Sequence, residues 1–390
     1  MATESLSRHA ASDDAVDGSA TTRPSGSSGA SARMSSAGTA GGTDSGIGID
    51  IRGLYKIFGP RAKDHVEAVR SGMSKQELQE KHGHVLGLKD INLSMAAGSI
   101  QVVMGLSGSG KSTLIRHINR LIDPTVGEVL VGGEDVCAMN AKSLRDFRRH
   151  KTAMVFQKFA LLPHRTVLNN VVYGLELQGI DRDRQESEAR RWIDRVGLGG
   201  FEDNYPNQLS GGMQQRVGLA RALTNDAPLL LMDEAFSALD PLIRMDMQTV
   251  LLDLQKELRK TIVFITHDLD EALRLGDRVA ILRDGEVIQE GTGQEIVLDP
   301  ADEYIQNFVK EVNRGRVILV ESVMQPGAHA AAGAEVPRGM HLESAARVMS
   351  GAGVNVANVT GANGEVIGHV NMDATVAAMV AEDHRHTPTA

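Results

Sequence analysis

The chain has 390 residues, 42% of them hydrophobic, with 41 Lys and Arg against 50 Asp and Glu for a formal charge of −9; this gives room for one large domain with attachments and argues against a generic nucleic-acid binder. The single cysteine, Cys137, excludes a disulfide within the chain and fits a reducing compartment. No apolar run approaches the ~18 residues that span a bilayer, and residues 1–46 lack the apolar stretch of a secretory signal, so any membrane role is expected to run through a partner.

Residues 1–46 are rich in Ser, Gly, Ala and Thr, and the first aromatic of the chain is Tyr55. Such a segment buries too little apolar surface to offset its ordering entropy and is read as disordered. Order is expected from about Ile49, where GIDIRGLYKIFG alternates like a strand and ends at a turn. Residues 61–85 read as an insertion. Within it, SKQELQEKHG offers Ser74 and Glu77 as a capping box and Gly83 as a helix stop. LGLKDINLSM reads as the next strand. From there to about residue 300, short β-rich runs alternate with helical patterns, which predicts an α/β fold with a largely parallel sheet. GIDRD is polar and reads as a loop, and residues 183–196 carry helix spacing.

Beyond about Arg316, Ala and Gly rise. HLESAARVMSGAG predicts a helix, VNVANV a strand, GANG a turn, EVIGHVN a strand and ATVAAMVAEDH a helix, in one copy with no internal repeat.

GLSGSGKST, residues 105–113, matches G-x-x-x-x-G-K-[ST] and stands between the strand-like IQVVM and the helix KSTLIRHINRL. Glycines there let backbone N–H groups wrap phosphates, and the helix N-terminus adds positive potential. Gly105, Leu106, Ser107, Gly108, Ser109, Gly110, Lys111, Ser112 and Thr113 are therefore the expected nucleotide cradle, with Lys111 on the phosphates and Ser112 on Mg²⁺. LLLMDEAFSALD, residues 229–240, is an apolar run ending in Asp233 and Glu234, as a buried parallel strand would. Asp233 is placed for the metal shell and Glu234 for polarising an attacking water. Gln157 follows the apolar AMVF and could ligate Mg²⁺ or position water; His267 follows TIVFIT and could meet the γ-phosphate. LSGGMQQRVGLARAL, residues 209–223, sets Ser210, Gly211 and Gly212 before a helix-period run, in the manner of a second phosphate-facing helix start.

GLSGSGKST, Gln157, LSGGMQQR, LLLMDE, SALD and His267, in that order, resemble the ATP-binding cassette (ABC) ATPases over roughly residues 48–300. The resemblance implies a P-loop α/β nucleotide-binding domain with a helical signature subdomain, spanning 48–315, that hydrolyses ATP with Mg²⁺. It implies a head-to-tail homodimer in which Ser210, Gly211, Gly212, Gln214 and Asp240 meet the ATP held by the other copy. It also implies that Glu234 is the general base, that His267, Gln157 and Lys111 serve the transferring phosphate, that Ser112, Gln157 and Asp233 hold the metal, and that Phe58 stacks on adenine, with Tyr55 as the competitor.

LYKIFG, MGLSGSGKSTLIRHINRLIDPT, AMVFQKFALLPHRTVLNN and LLMDEAFSALDPLIR resemble more narrowly the ATPase subunits of glycine betaine, proline and related quaternary-amine importers. That likeness implies an integral membrane permease contacted through FALLPHRTV, a solute-binding protein reached through the permease, no nucleic-acid partner, and residence on the cytoplasmic face of the inner membrane. An importer of another small solute is the alternative. A soluble cassette protein acting on ribosomes or DNA would be expected to carry two cassettes or a long coiled coil. Residues 318–390 resemble a single CBS-like α+β module, regulatory or dimerising, where the subfamily carries two in tandem.

Overall fold

A computed structural model describes residues 46–380. The disorder expected for 1–46 falls, but for Gly46, outside the described residues, as do residues 381–390. In chain order the strands up to residue 291 are β1 (Ile49–Phe58), β2 (Val85–Met95), β3 (Ile100–Met104), β4 (Val126–Val131), β5 (Glu134–Asp135), β6 (Thr152–Val155), β7 (Leu229–Asp233), β8 (Thr261–Thr266), β9 (Arg278–Arg283) and β10 (Glu286–Gly291).

The expected parallel sheet is present as a six-stranded sheet of order β10-β9-β3-β8-β7-β6, parallel from β9 to β6 and closed by the antiparallel β10. Its central strands are buried along their whole length, the condition under which strands become unbroken apolar runs. Side chains alternate between faces with the period of two. Leu229 and Leu231 join Val263, Ile265 and the helix Lys111–Ile118 in one core, whereas Leu230 and Met232 join Ile262, Phe264 and Trp192 in the other. The helices Val167–Val171, Arg182–Arg195 and Gly211–Thr224 contribute to that second core.

Sequence pattern alone does not separate a second, antiparallel sheet of order β2-β1-β4-β5 from the parallel one. Strand alternation says which face is wet but not which neighbour supplies the hydrogen bonds. β1 and β2 form a long hairpin, paired from Ile49↔Met95 to Phe58↔Val85, so the insertion is the connection of that hairpin. The insertion carries the helices Val66–Arg70 and Lys75–His82. Its capping box forms as expected: Glu77 N donates to Ser74 Oγ and Ser74 N to Glu77 Oε2, both at 3.1 Å, and Gly83 ends the helix at φ 66°. Val66, Val69 and Leu78 bury against Tyr55, Ile57 and Leu86 in a small separate core. The helix expected over KSTLIRHINRL stops at Ile118, because Arg120 takes a left-handed φ of 50° and turns its guanidinium to Asp123 at 2.7 Å.

In the tail, the predicted helix, strand, turn, strand and helix are the helix Leu342–Gly351, β13 (Val356–Thr360), a turn at Gly361–Gly364 and β14 (Val366–Asn371) followed by the helix Met372–Val380. Residues 381–384 of the expected last helix lie outside the described residues. Two short strands too brief to read from pattern, β11 (Gln325–Pro326) and β12 (Ala334–Pro337), complete a sheet of order β11-β14-β13-β12. Its core holds Ile318, Val320, Leu342, Met349 and Val370. Leu319 N donates to Gln294 Oε1 at 2.9 Å and Leu298 packs on that core, so the tail is docked on the preceding region.

Leu78 is fully buried in the small core of the insertion. Leu78→Ala should cost about 2–5 kcal/mol there. Amide exchange should accelerate across 66–82 and stay unchanged in β3, β7 and β8. Uniform acceleration would show instead that the insertion unfolds only with the whole.

Candidate nucleotide site

The phosphate loop leaves β3 after Met104 and enters the helix Lys111–Ile118. Gly108 at φ 80° and Gly110 at φ 106° hold left-handed backbone, and a Cβ on Gly110 would lie 2.7 Å from Gly87 O. A Cβ on Gly105 would lie 2.2 Å from Leu282 O, so the loop is also pinned against β9. Leu106, Ser107 and Gly108 face solvent, while Ser109 is buried with an Oγ that has no partner in the structure. Ser112 and Thr113 are half-buried. A buried, unpaired hydroxyl in a glycine cradle at the start of an amphipathic helix is the chemistry that a polyphosphate fits.

The Lys111 side chain is only 4% exposed. Its Nζ donates to the carbonyls of Gly105 at 2.7 Å and Leu106 at 3.1 Å and lies 3.8 Å from Glu234 Oε1. Burial lowers its pKa, and the charges of Glu234 and Asp233 partly offset this. Asp233, also buried, accepts from Ser112 Oγ at 2.8 Å and from Arg116 Nη2 at 3.2 Å.

Glu234 stands just past the end of β7 with φ 46°, a left-handed conformation that costs a non-glycine residue about 1–2 kcal/mol. It is held there because its N–H donates to Ile265 O at 3.1 Å and its carbonyl accepts from Ser237 Oγ at 2.9 Å. The turn brings the carboxylate among three other expected site residues. Gln157 Nε2 donates to Oε2 at 2.9 Å, His267 Nδ1 lies 3.6 Å from Oε2, and Lys111 Nζ approaches Oε1. Lys111, Gln157, Glu234 and His267 therefore converge although up to 156 residues separate them in the chain.

The second glycine cluster is elsewhere. Ser210 caps the helix Gly211–Thr224, its Oγ accepting from Met213 N at 3.3 Å. Ser210, Gly211, Gly212 and Asp240 line one open cleft of about 530 Å³, which shares no residue with the phosphate loop or Glu234. Asp240 caps the helix Pro241–Leu258. The Gln214 amide is spent on its own chain, donating to the carbonyls of Pro206 and Leu209 at 3.0 and 3.2 Å.

Tyr55 is buried under the insertion, with Arg70 over its ring, and offers no free face. Phe58 is 39% exposed beneath Lys56 Nζ. Its ring lies so close to Gly87 that a Cβ there would come within 2.7 Å, and Gly87 in turn abuts Gly110 of the phosphate loop.

Two arginines escaped the sequence reading. Arg116 shares a helix face with Ser112, one turn away, and the i, i+4 spacing is the signal that it would reach the same carboxylate. Arg221, largely buried and with its pKa lowered by that burial, donates to the carbonyls of Phe159 at 3.1 Å and Ala160 at 2.7 Å. These two loop residues hold left-handed φ of 56° and 48°. Nothing in the local pattern of LARAL announces that contact.

Glu234→Gln preserves the size of the side chain and removes its basicity. Equilibrium dialysis should find ATP affinity within about twofold of the parent, while hydrolysis falls by ~10²–10⁴, the usual worth of a general base. Unchanged turnover would remove Glu234 from that role.

Residues 88–237 match the family model described as ABC transporter. The glycine betaine transport ATP-binding protein OpuAA of Bacillus subtilis is 52% identical over 279 residues, covering 72% of this chain and 67% of that protein. The trimethylamine N-oxide transport system ATP-binding protein TmoW of Pelagibacter ubique is 43% identical, covering 83% of this chain and 94% of that protein. The solved structure of the ATP-binding cassette MJ0796, a dimer in a post-hydrolysis state bound to ADP and Pi, is 32% identical, with a TM-score of 0.55 over 63% of this chain and 98% of that one. The motifs, the convergence of Lys111, Gln157 and His267 on Glu234 and these relatives agree: the chain belongs to the ABC transporter family, as an ATP-binding, ATP-hydrolysing subunit.

Proposed function

We propose that two copies of this chain power an importer of glycine betaine, proline or a related quaternary-amine osmolyte. The observation that carries the working unit is the separation of the two glycine clusters. Ser210, Gly211, Gly212 and Asp240 share one cleft, and Lys111, Gln157, Glu234 and His267 surround another point. A head-to-tail second copy would present the cleft of one subunit to the phosphate loop of the other, and a solved cassette relative is a dimer bound to ADP and Pi. The cargo reading rests on relatives at 50–52% identity named for glycine betaine or proline betaine transport. The trimethylamine N-oxide relatives extend it to a cargo with the same methylated, positively charged nitrogen.

Bound ATP with Mg²⁺ supplies the phosphoanhydride and the metal charge. On this reading Ser112, Asp233 and Gln157 would hold the metal, and the part-exposed Phe58 ring would meet adenine. Stacking of that kind contributes roughly 1–3 kcal/mol and tolerates different bases. Lys111, His267 and the partner's signature helix stabilise charge on the transferring group, and Glu234 takes the proton of the attacking water. Positioning and charge stabilisation supply most of phosphoryl-transfer catalysis, so a site divided between copies acts only once closed. The loop after Gln157, pinned by Arg221 and by the buried Asn170, is the surface offered to a membrane permease.

No helix among the described residues is long and apolar enough to cross a membrane. The resemblance to importer ATPases carries the proposal that the subunit sits at the cytoplasmic face of the inner membrane through the permease, which also links it to a solute-binding protein. The tail is read as a single CBS-like module, regulatory or dimerising.

The test is reconstitution of the full chain with its permease and solute-binding protein in vesicles. ATP-dependent uptake of labelled glycine betaine should be lost with Glu234→Gln. Uptake of a solute of another class, with none of any quaternary amine, would overturn the cargo reading. Arg221→Ala should release the loop after Gln157, leaving hydrolysis in place while uptake per ATP falls. Uptake and hydrolysis falling together would show that Arg221 serves the site and not the coupling.

A further inference from the structure

The helix Pro241–Leu258 starts directly after SALD, and the helix Leu269–Leu275 starts directly after His267 and Asp268. Side chains that the mechanism above does not use join the two. Arg244 donates through Nη1 to Asp268 Oδ2 at 3.1 Å and through Nη2 to the backbone carbonyl of Leu239 at 3.2 Å. One turn further on, Gln248 Nε2 donates to Glu271 Oε1 at 3.0 Å, and Gln248 Oε1 accepts from Arg274 Nη1 at 2.9 Å. Gln248 and Glu271 are both buried. Asp268 spends its other oxygen on the N–H of Glu271 at 3.0 Å, and its own N–H donates to Thr266 Oγ1 at 3.0 Å.

One guanidinium thus holds two loops, the one that ends in Asp240 and the one that carries His267. Its planar fork fixes both bonds in one geometry, so neither loop can shift without the other. The His267 side chain is 56% exposed and meets Glu234 only at 3.6 Å. Its place therefore follows the backbone at 266–268, which Asp268 anchors.

We infer that Arg244 is a positioning residue that couples the seating of the Asp240 loop against a second copy to the placement of His267. The inference rests on the reading that Asp240 faces a partner subunit and that His267 serves hydrolysis. The side-chain bonds of Arg244 go to Asp268 and Leu239, not to the phosphate loop or Glu234, so its loss should slow turnover and spare nucleotide affinity.

The experiment compares ATP hydrolysis by the full chain carrying Arg244→Ala, Arg244→Lys, Asp268→Asn, and Arg244→Ala with Asp268→Asn. Asparagine caps a helix about as well as aspartate, so Asp268→Asn keeps the fold and weakens the bridge. Arg244→Ala and Asp268→Asn should each lower kcat about tenfold with KM changed by less than about threefold. Lysine should restore part of the loss caused by alanine. The double variant should be no slower than the slower single one, because both changes break one interaction. Adding Arg244→Ala to Glu234→Gln should leave the ATP-dependent dimer intact by size-exclusion chromatography. Unchanged kcat, additive losses, or KM rising in step with the fall in kcat would each overturn the inference. A parent chain that neither dimerises with ATP nor hydrolyses it would overturn the functional reading itself, a result distinct from normal turnover in the parent and all four variants.

Discussion

A lysine amine taken almost wholly out of water must be compensated, and the site is organised around that demand. Lys111 loses hydration at the start of its helix and regains only two loop carbonyls at hydrogen-bond distance and a carboxylate at 3.8 Å. Burial of a charge without close partners is expensive. The same burial that lowers its pKa makes an incoming polyanion a strong partner, because charge interactions grow as water is excluded. The glycines of the loop serve this arrangement: Gly105 and Gly110 let the backbone pass against β9 and β2 where a Cβ would collide.

Glu234 brings a carboxylate to 3.8 Å from this amine. Its left-handed backbone turns it away from a full ion pair with Lys111 and toward Gln157 and His267. Asp233, one residue earlier, points the other way and is engaged by Ser112 and Arg116. Asp233 is the last residue of β7 and Glu234 turns left-handed just past it, so the two acidic groups engage different partners. The turn is maintained by bonds from Ile265 and Ser237, so the strain at Glu234 is offset by neighbours on β8 and in the SALD loop.

The peripheral elements follow a different logic. The insertion closes the β1–β2 hairpin with its own small core, which consumes Tyr55 and leaves Phe58 part-exposed against Gly87. The tail builds a separate core around Ile318 and Leu342 and is attached through Gln294 and Leu298. Neither small core shares a buried residue with the parallel sheet.

The sequence by itself determined the parts whose information is local. The phosphate loop, the apolar strands, the capping box at Ser74 and the helix after Ser210 are each set by neighbouring residues: glycine where φ is positive, unbroken apolar runs where both faces are covered, and a side-chain acceptor where a helix begins. Tertiary structure decided what depends on residues far apart in the chain. It decided that β1 and β2 leave the main sheet for one of their own, that Arg116 turns to Asp233, that Arg221 grips the loop after Gln157, and that Arg244 ties Leu239 to Asp268. Those contacts depend on which surfaces meet when the helices pack on the sheet, and apart from the spacing of Arg116 with Ser112 a long arginine carries no local mark of the carbonyl or carboxylate that it will reach.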